Sequence, residues 1–536
     1  MKIKYLIVFF CFISAFNSAF ANDGWLNILN EGGNNKGIKC TEAIQNAIEK
    51  ASANGGGTIF FPAGDYLTGA LKLKSNITIY LDSGVLLKFS DNFDDYLPYV
   101  EMRYEGIVMQ SFSPLFYAKD AENITIKGRG VIEGQGKAWW NEVYRIETAK
   151  GPIPLTKYQK MWEEQNKGIV YSPYYQRTID KKFFRPSFFQ AYNCKNILIE
   201  GVTFQNSPFW TINPEFCDNV TVTGITIFNP HSPNTDGINP SSCKNVHISN
   251  CHISVGDDCI TIKSGRDADG RKYGKPTENV TITNCTMLSG HGGVVIGSEM
   301  SGGIKKITIS NCVFDGTDRG IRIKSARGRG GVVEDIRVDN IVMKDIKEEA
   351  FVLDLFYDKT NVAEPVTEKT PIFRNIHMSN ITGSNVNKAG VIRGISEMPI
   401  QNITFSNINI DAKQGFDIST TKDIEFHNVK VNTTMGSSFQ IEDSRNFILD
   451  NVSTATPIAA TPVIKLNNVS NIMVNNNFPM FATDIFLEAD GKETKDIFLK
   501  NNVFNHVKTI VKRGKDLDNK IPTPSLPEGE GANTGK

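Results

Sequence analysis

The stretch Asn279-Val280-Thr281-Ile282 is one copy of a phrase that recurs along most of the chain. The phrase is Asn or Asp, then an apolar–polar–apolar triplet, then a turn, and only the copy at Lys306 departs from this rule. Alternation within each triplet is the periodicity of a β-strand, and a repeat of about 20–30 residues indicates a solenoid. The copies begin at Asn76, Asn123, Asn196, Asn219, Asn245, Asn279, Lys306, Asp335, Asn375, Asn402, Asp423, Asn446, Asn471 and Asp496.

This pattern predicts an all-β fold, a right-handed parallel β-helix of about fourteen coils. A leucine-rich repeat is the alternative solenoid, but its fixed leucine framework is missing. Near the N-terminus, Thr41 is positioned to cap a short helix that ends at Gly55-Gly56-Gly57. We expect this helix to cover the first rung of the sheet, because an open edge invites aggregation. Its predicted apolar face is Ala43, Ile44, Ala47, Ile48 and Ala51.

The ends of the chain predict export. Residues 1–21 have the form of a signal peptide, with Lys2 and Lys4 before an apolar run and a cleavage site at Ala19-Phe20-Ala21. That run is too short to span a membrane. We therefore expect a periplasmic or secreted protein, with one catalytic domain over 22–514 and a flexible tail over 515–536.

The composition adds little about partners. The 536 residues are 40% apolar, enough for a large core, and the formal net charge is zero. Nothing global therefore favours nucleic acid or an anionic membrane surface, and we expect a monomer without membrane insertion.

Eight of the nine cysteines lie outside the signal peptide, so disulfides are possible. Cys251, Cys285 and Cys312 each follow an Asn at matching repeat positions, which makes a ladder of free thiols the equal alternative.

Two intervals between copies of the phrase are too long for a plain coil. The first contains an insertion over 137–190, and the second, from Asp335 to Asn375, contains a loop near 357–371. Long loops on a rigid scaffold often carry function. The aromatic residues of the first insertion are Trp139, Trp140, Trp162, Tyr144, Tyr158, Tyr171, Tyr174 and Tyr175.

Charged groups recur at one-coil intervals in the centre of the chain. Adjacent coils of a parallel stack lie about 4.8 Å apart, so these groups should meet on one surface. Carboxylates that close cannot all ionise freely, and one of them should hold its proton. A protonated carboxyl group beside an ionised one provides the general acid and the general base that glycoside hydrolysis requires. The motifs are Asn234-Thr235-Asp236-Gly237, Gly256-Asp257-Asp258, Gly290-His291-Gly292 and Arg322-Ile323-Lys324.

Each motif alone has a plainer interpretation. Asn-Thr-Asp-Gly forms turns, Gly-Asp-Asp suits a solvated corner or a calcium site, and Arg-Ile-Lys is a strand with two exposed cations. The segment Asp267-Ala268-Asp269-Gly270 resembles the start of a calcium loop, and we interpret it as a turn. The four motifs in register on consecutive coils nevertheless favour a catalytic site, and no metal or cofactor is expected there.

Together the four motifs resemble glycoside hydrolase family 28, the polygalacturonases, over roughly residues 25–480. The segment 287–298 looks like that family's active-site signature. The resemblance implies an inverting hydrolase of α-1,4-galacturonosyl bonds in pectin, polygalacturonate or their oligosaccharides. The implied roles are general acid for Asp257, positioning and deprotonation of water for Asp236 and Asp258, tuning of the acid by His291, carboxylate binding by Arg322 and Lys324, and sugar contact by Asn234 and Tyr357.

The finer specificity rests on the loops and the cation pair. Retention of both cations favours galacturonate on either side of the bond over a rhamnogalacturonan. Insertions at 137–190 and Ser264–Pro276 are placed to wall off one end of the groove, which predicts cutting from the chain end. The alternatives are endo cleavage, with the aromatic residues merely packing the insertion, and more distantly a pectate lyase or a non-catalytic adhesin.

Overall fold

The computed structural model describes residues 24–169, 176–229, 232–357 and 362–517. The predicted signal peptide lies outside these residues, as do residues 518–536 of the predicted tail. Nearly all strands are parallel and belong to three ladders, one on each side of a coil. The prediction of a parallel β-helix is confirmed.

The repeated phrase builds the first ladder. Its strands are Trp25–Asn27, Gly57–Phe61, Ile77–Leu81, Glu122–Gly128, Lys195–Glu200, Asp218–Thr223, Lys244–Ser249, Thr277–Thr283, the first parts of Ile304–Asp315, Val332–Lys344, Ile372–Arg393, Ile400–Ser419 and Thr421–Thr433, the last parts of Phe439–Ser453 and Pro462–Asn475, and Lys495–Lys500.

The second ladder follows it around each coil. It comprises Lys36–Lys39, Gly64–Thr68, Val85–Phe89, Val131–Glu133, Thr203–Gln205, Thr226–Asn229, His252–Val255, Thr286–Ser289 and later parts of the long strands.

The third ladder carries the central motifs. Isolated bridges at Ile212 and Ile238 continue it between longer strands. It comprises Leu71–Lys72, Phe116–Lys119, Phe189–Tyr192, Asp258–Ile262, Gly292–Gly297, Ile321–Lys324, Glu349–Asp354, the ends of Ile372–Arg393 and Ile400–Ser419, the beginnings of Phe439–Ser453 and Pro462–Asn475, Thr483–Asp490 and Val507–Arg513.

Asparagine begins the phrase because the backbone there is left-handed. Asn76, Asn123 and Asn196 have φ of 63°, 58° and 55°, a conformation that Asn tolerates better than most residues. Their side chains also stack from coil to coil. Asn123 donates to Asn76 over 2.7 Å, and Asn196 donates to Asn123 over 2.8 Å. The lone lysine of the series, Lys306, adopts the same conformation with φ of 57°.

The apolar positions of the triplets form one continuous core inside the coils. Ile77 and Ile79 are completely buried, and their equivalents are buried along the stack except at Leu499 on the last coil. Within the described residues the eight cysteines are buried and unpaired. The free-thiol alternative is therefore the one observed for Cys251, Cys285 and Cys312.

The short N-terminal helix is confirmed, with a different start. It spans Thr41–Ala53 and buries Ile44, Ala47, Ile48 and Ala51. The prediction that Thr41 caps it is wrong, because Cys40 is the N-cap and supplies no side-chain hydrogen bond. The Thr41 hydroxyl instead accepts a hydrogen bond from the Gly69 amide over 2.6 Å, which ties the helix to the coil beneath it.

The other helices lie in excursions from the coils. The 137–190 insertion holds Lys137–Glu147, Lys157–Gln165 and Gln176–Ile179. The segment interpreted as a turn is instead a helix, Asp267–Tyr273, and the carboxylates of Asp267 and Asp269 pair with Arg329 and Arg103. Two 3-10 helices, Ile28–Glu31 and Phe93–Tyr96, complete the set. None of the helices in the described residues is long and apolar enough to cross a membrane.

The sequence analysis missed one excursion. The interval from Asn76 to Asn123 is also too long for a coil, and it contains an antiparallel hairpin of Val100–Tyr104 and Ile107–Ser111. Because the hairpin departs after the second ladder, it reaches the outer face of the third. This position matters for the site.

Candidate active site

The four motifs meet where the second ladder turns into the third. Asp236 precedes the bridge at Ile238, Asp258 opens the strand Asp258–Ile262, and His291 precedes the strand Gly292–Gly297. The ladder register then pairs Asp258 with Gly292, and Gly297 with Lys324. The turn is tight at Gly256, where a Cβ atom would collide with the Ser232 backbone. The prediction that these groups share one surface is confirmed.

Of the three carboxylates, Asp257 is the one that solvent reaches. One of its oxygens lies 3.0 Å from Nδ1 of His291 and accepts a hydrogen bond from the Asp258 amide, also over 3.0 Å. The other oxygen accepts a longer bond, 3.4 Å, from the Asn234 amide group. About a fifth of the side chain, 18%, is exposed. This geometry leaves Asp257 held by three neighbours and open to a ligand.

Asp258 is buried among cations. Nζ of Lys324 lies 2.8 Å from one carboxylate oxygen, and Nη1 of Arg322 lies 3.8 Å from the other. Burial alone would raise the pKa of Asp258, but Lys324, Arg322 and Lys263 outweigh it and lower the pKa. Asp258 is therefore ionised at neutral pH. Its Oδ1 atom is buried and has no hydrogen-bond partner within the described protein.

Asp236 has the opposite character. It is buried, and the pKa of its carboxyl is raised well above the usual range by desolvation and then by the charge of Asp257. Nζ of Lys263 at 4.0 Å opposes this only in part, and Asn239 donates to Asp236 over 2.9 Å. The surroundings of Asp236 therefore favour its protonated form, the direction that the sequence analysis expected for one carboxylate of the group.

Beneath these carboxylates lies a buried charge network that the sequence analysis missed. Nζ of Lys263 lies 2.8 Å from Glu299, and Arg266 lies 2.5 Å from the other oxygen of the same carboxylate. Lys263 stands at an outward position of its strand, where periodicity alone predicts solvent. Glu299, in the loop after Gly297, and the ring of Trp210, 4.6 Å from Nζ, pack against it, so only 4% of Lys263 is exposed.

Asp318 is a second functional candidate that the motifs did not reveal. It lies 3.8 Å from Nε2 of His291, so the imidazole stands between Asp318 and Asp257. Lys347 approaches the same carboxylate to 3.2 Å. Asp318 belongs to a turn with no strand periodicity, and only the fold brings it to His291.

The predicted sugar-contacting residues border the same site. The ring of Tyr357 lies 5.7 Å from the Arg322 guanidinium and 5.3 Å from Nζ of Lys324. The side-chain oxygen of Asn234 accepts a hydrogen bond from Arg185 over 2.9 Å. All eight predicted residues are thus adjacent, although contact with a sugar stays a prediction. In the described part of the chain, no group of three or more His, Cys, Asp or Glu side chains is arranged to hold a metal ion.

The contact between His291 and Asp257 predicts a measurable titration. The hydrogen bond to Asp257 raises the pKa of His291, so we expect it to titrate above about 6.5. The stability that this contact contributes is present below that pH and is lost as the pH rises through the raised pKa. In Asp257→Asn the pKa measured by NMR should fall. His377 is the internal control, because burial lowers its pKa and it is remote from Asp257. If the pKa of His291 were the same in Asp257→Asn as in the unmodified enzyme, the contact would be contradicted.

Neighbouring carboxyl groups beside a cation pair, on a parallel β-helix, form an arrangement suited to glycoside hydrolysis. Comparison with known proteins agrees. Residues 165–422 match the model of the glycosyl hydrolases family 28. The chain belongs to this family, that of the polygalacturonases. It is therefore a glycoside hydrolase, and its structural neighbours are right-handed parallel β-helices.

Three relatives illustrate the similarity. A probable polygalacturonase of Vitis vinifera is 32% identical over 381 residues, which are 69% of this chain and 70% of the relative. An exo-poly-alpha-D-galacturonosidase of Dickeya chrysanthemi is 30% identical over 448 residues, 78% and 72% of the two chains. The crystal structure of a hyperthermoactive exopolygalacturonase from Thermotoga maritima superposes with a TM-score of 0.68 at 33% identity, covering 76% of this chain and 91% of the other.

Proposed function

We propose that this enzyme hydrolyses α-1,4-galacturonosyl bonds of pectic chains with inversion of configuration, and that it cuts from the chain end. The observation that carries the proposal is a pair of neighbouring carboxyl groups: Asp257 is partly exposed and contacts His291, and Asp258 is buried with a pKa that the surrounding cations lower. Inverting glycosidases require one carboxyl group as acid and another as base. Family membership supports the substrate class.

In the proposed reaction, Asp257 gives its proton to the oxygen of the leaving sugar. A water molecule attacks the anomeric carbon from the opposite face, the glycosidic bond breaks, and the water proton passes to Asp258. Asp258 suits the base role because its cations keep it ionised and its Oδ1 atom has no partner in the protein. His291, whose pKa is raised, then returns a proton to Asp257 across their 3.0 Å contact.

The substrate's own charge supports galacturonate. Arg322 reaches Asp258 only at 3.8 Å, so its planar fork remains largely available for a second carboxylate. Lys324 is less available to a substrate carboxylate than Arg322, since it is only 6% exposed and pairs closely with Asp258. We therefore assign the carboxylate contact first to Arg322, with Lys324 supplying charge behind it.

The hairpin Val100–Ser111 supports cutting from the chain end. The Tyr117 hydroxyl donates to the Glu101 carbonyl over 2.6 Å, and Gln190 exchanges hydrogen bonds with the Arg103 backbone over 3.2 and 3.0 Å. Tyr117 and Gln190 lie on third-ladder strands that precede the strand of Asp258. The hairpin therefore occupies the outer face on which a long polymer would otherwise continue past the site.

Further contacts fix the hairpin in place. The Arg103 guanidinium is completely buried and pairs with Glu215 at 3.1 Å, and Tyr104 stacks on Phe209 at 4.2 Å between ring centroids. At the tip, Glu105 lies 3.4 Å from Arg266, next to the charge network under the carboxylates. The sequence-based argument placed this wall in the 137–190 and Ser264–Pro276 insertions. We now assign it chiefly to the hairpin.

A time course on polygalacturonate tests the mode of cleavage. Because the groove is closed on one side, we expect monomer or dimer from the earliest samples and a slow fall in viscosity. The matched variant replaces Val100–Ser111 by a short Gly-Ser link, and its control shortens the exposed loop at 362–369. Only the first should gain longer products, provided that both melt as folded proteins. A rapid early fall in viscosity with a spread of oligomers from the unmodified enzyme would contradict the end-cutting mode.

We also propose that the enzyme acts outside the cytoplasm, after cleavage near Ala21. The support is the charge and apolar pattern of residues 1–21. A pectic polymer is too large to enter a cell intact, so hydrolysis must begin outside the cytoplasmic membrane.

A further inference from the structure

His291 faces a carboxylate on each side of its ring. Nδ1 lies 3.0 Å from Oδ1 of Asp257, and Nε2 lies 3.8 Å from Oδ2 of Asp318, which belongs to the next coil. The proposed reaction uses the contact at Nδ1 and leaves the one at Nε2 without a role. An imidazole can carry a proton on either nitrogen or on both, and the partner of one nitrogen sets the state of the other. Asp318 therefore bears on the chemistry of His291 from the far side of the ring.

The turn that carries Asp318 is fastened to the turn that carries His291. The Asp318 amide donates a hydrogen bond to the carbonyl of Gly290, the residue before His291, over 2.8 Å. On the opposite side, the Asp318 carbonyl accepts a hydrogen bond from the Glu348 amide over 2.7 Å. Backbone contacts to both neighbouring coils thus set where the Asp318 carboxylate lies relative to the imidazole.

The carboxylate of Asp318 is shared between two neighbours. Its Oδ1 atom lies 3.2 Å from Nζ of Lys347, and its Oδ2 atom is the one that faces His291. The side chain of Lys347 is 60% exposed, and an ion pair with so exposed a partner adds little to stability. A purely structural role is therefore a weak explanation for a carboxylate at this position.

The charged groups around the ring determine how readily it carries a second proton. The hydrogen bond to Asp257 raises the pKa of His291 most, and burial lowers it. The charges of Asp257, Asp258 and Asp318 raise this pKa further, and Asp318 is the member of the three that acts from the Nε2 side. The cations that face this group are themselves paired with acids, namely Lys324 with Asp258 at 2.8 Å, Arg322 with Asp258 at 3.8 Å, Lys347 with Asp318 at 3.2 Å and Arg319 with Glu349 at 3.0 Å.

We propose that Asp318 is a positioning residue for His291, which retains the proton on Nε2 so that the proton on Nδ1 is the one returned to Asp257 after each cleavage. The inference rests on the proposed function. In this step the Nδ1–H bond breaks, the proton moves to Oδ1 of Asp257, and Nδ1 later takes a new proton from water. The separation of 3.8 Å at Nε2 is that of an ion pair, and contacts of this kind often tighten only when substrate binds.

Titration of the substrate-free enzyme by NMR tests the contact without relying on activity. Asp318→Asn removes the charge and keeps the shape of the side chain, so the pKa of His291 should fall by about half a unit, the size expected for an exposed ion pair. Lys347→Met removes the cation that partly neutralises Asp318, so the same pKa should rise. Shifts of opposite sign from the two members of one ion pair would not arise from a general loosening of the turn.

Asp345→Asn is the matched control for Asp318→Asn. It makes the same change in a turn one coil beyond Asp318, at a left-handed position with φ of 53° that Asn tolerates. Asp345 accepts a hydrogen bond from Asn385 over 2.7 Å and lies two coils, roughly 10 Å, from His291. Salt largely screens an exposed charge at that distance, so the pKa of His291 should stay unchanged.

The pH profile of digalacturonate cleavage gives a second readout. The alkaline limb of kcat/KM should move to lower pH in Asp318→Asn and to higher pH in Lys347→Met, each by the shift that NMR measures. A lowered melting temperature with no change in the pKa of His291 would leave Asp318 a structural role only and overturn the proposal, as would a shifted pKa with an unmoved limb. A shifted pKa in a protein that cleaves no galacturonide would support the contact at Nε2 and overturn the proposed substrate instead.

Discussion

Replacing Asp257 by Asn should lower kcat on galacturonides by about 10²–10⁴-fold, because the leaving sugar then departs without a proton. The fold should persist, since Asp257 is partly exposed and its neighbours remain hydrogen-bonded to other groups. Steady-state kinetics on digalacturonate and a thermal melt measure the two effects. Full activity with an unchanged melting temperature would remove Asp257 from the role of acid.

The same substitution at the other two carboxylates should give different results. Asp236→Asn replaces a carboxyl that tends to be protonated by an isosteric neutral group, so stability should change little. Activity should still fall, because we expect Asp236 to help to position the attacking water. Asp258→Asn leaves Lys324 and Arg322 facing a neutral side chain, so stability should fall together with activity. Asp318→Asn is a milder comparison, since Asp318 lies 3.8 Å from His291 on the side away from Asp257 and also pairs with Lys347. Its effect on kcat should be much smaller.

The fold was readable from sequence because one local rule is repeated in every coil. Asn at a left-handed corner, followed by alternating residues, fixes both the turn and the buried face, and stacking then follows from the repeat. The same regularity placed Asp236, Asp257 and His291 on neighbouring coils. Distances along the stack depend only on coil number, which the sequence supplies.

What escaped prediction lies where the chain leaves the coils. The hairpin Val100–Ser111 has strand periodicity of its own, so only the long interval from Asn76 to Asn123 sets it apart from the coil strands. Lys263, at an outward position next to its strand, is buried only because Glu299 and Trp210, which are distant in sequence, pack against it. Trp139 and Trp140 are adjacent in sequence, and only the three-dimensional path of the insertion buries one and leaves the other at a cavity.

The buried network beneath the active site should be costly to break. Burial alone would raise the pKa of Glu299, but Lys263, Arg266 and Arg329 hold it well below the usual range. Lys263→Met removes the cation that lies 2.8 Å from Glu299 and 4.0 Å from Asp236. Breaking a buried pair by removing one partner costs about 3–5 kcal/mol, and because Arg266 remains 2.5 Å from Glu299 we expect a loss near the lower end, about 3 kcal/mol.

We therefore expect Lys263→Met to lower the free energy of unfolding by about that amount at pH 7, measured by denaturant titration. Lys244→Met is the control, because that lysine is 53% exposed and lies 3.9 Å from Glu278, a contact worth at most about 1 kcal/mol. The lowered pKa of Glu299 means that its ionised form stabilises the fold above about pH 4.3, and that this contribution is lost as the pH falls through the lowered value. In Lys263→Met the carboxylate can neutralise itself at a higher pH, so the difference from the unmodified enzyme should shrink as the pH is lowered. A difference that is equal at every pH, or no larger than that of the control, would show that this network does not hold the site together.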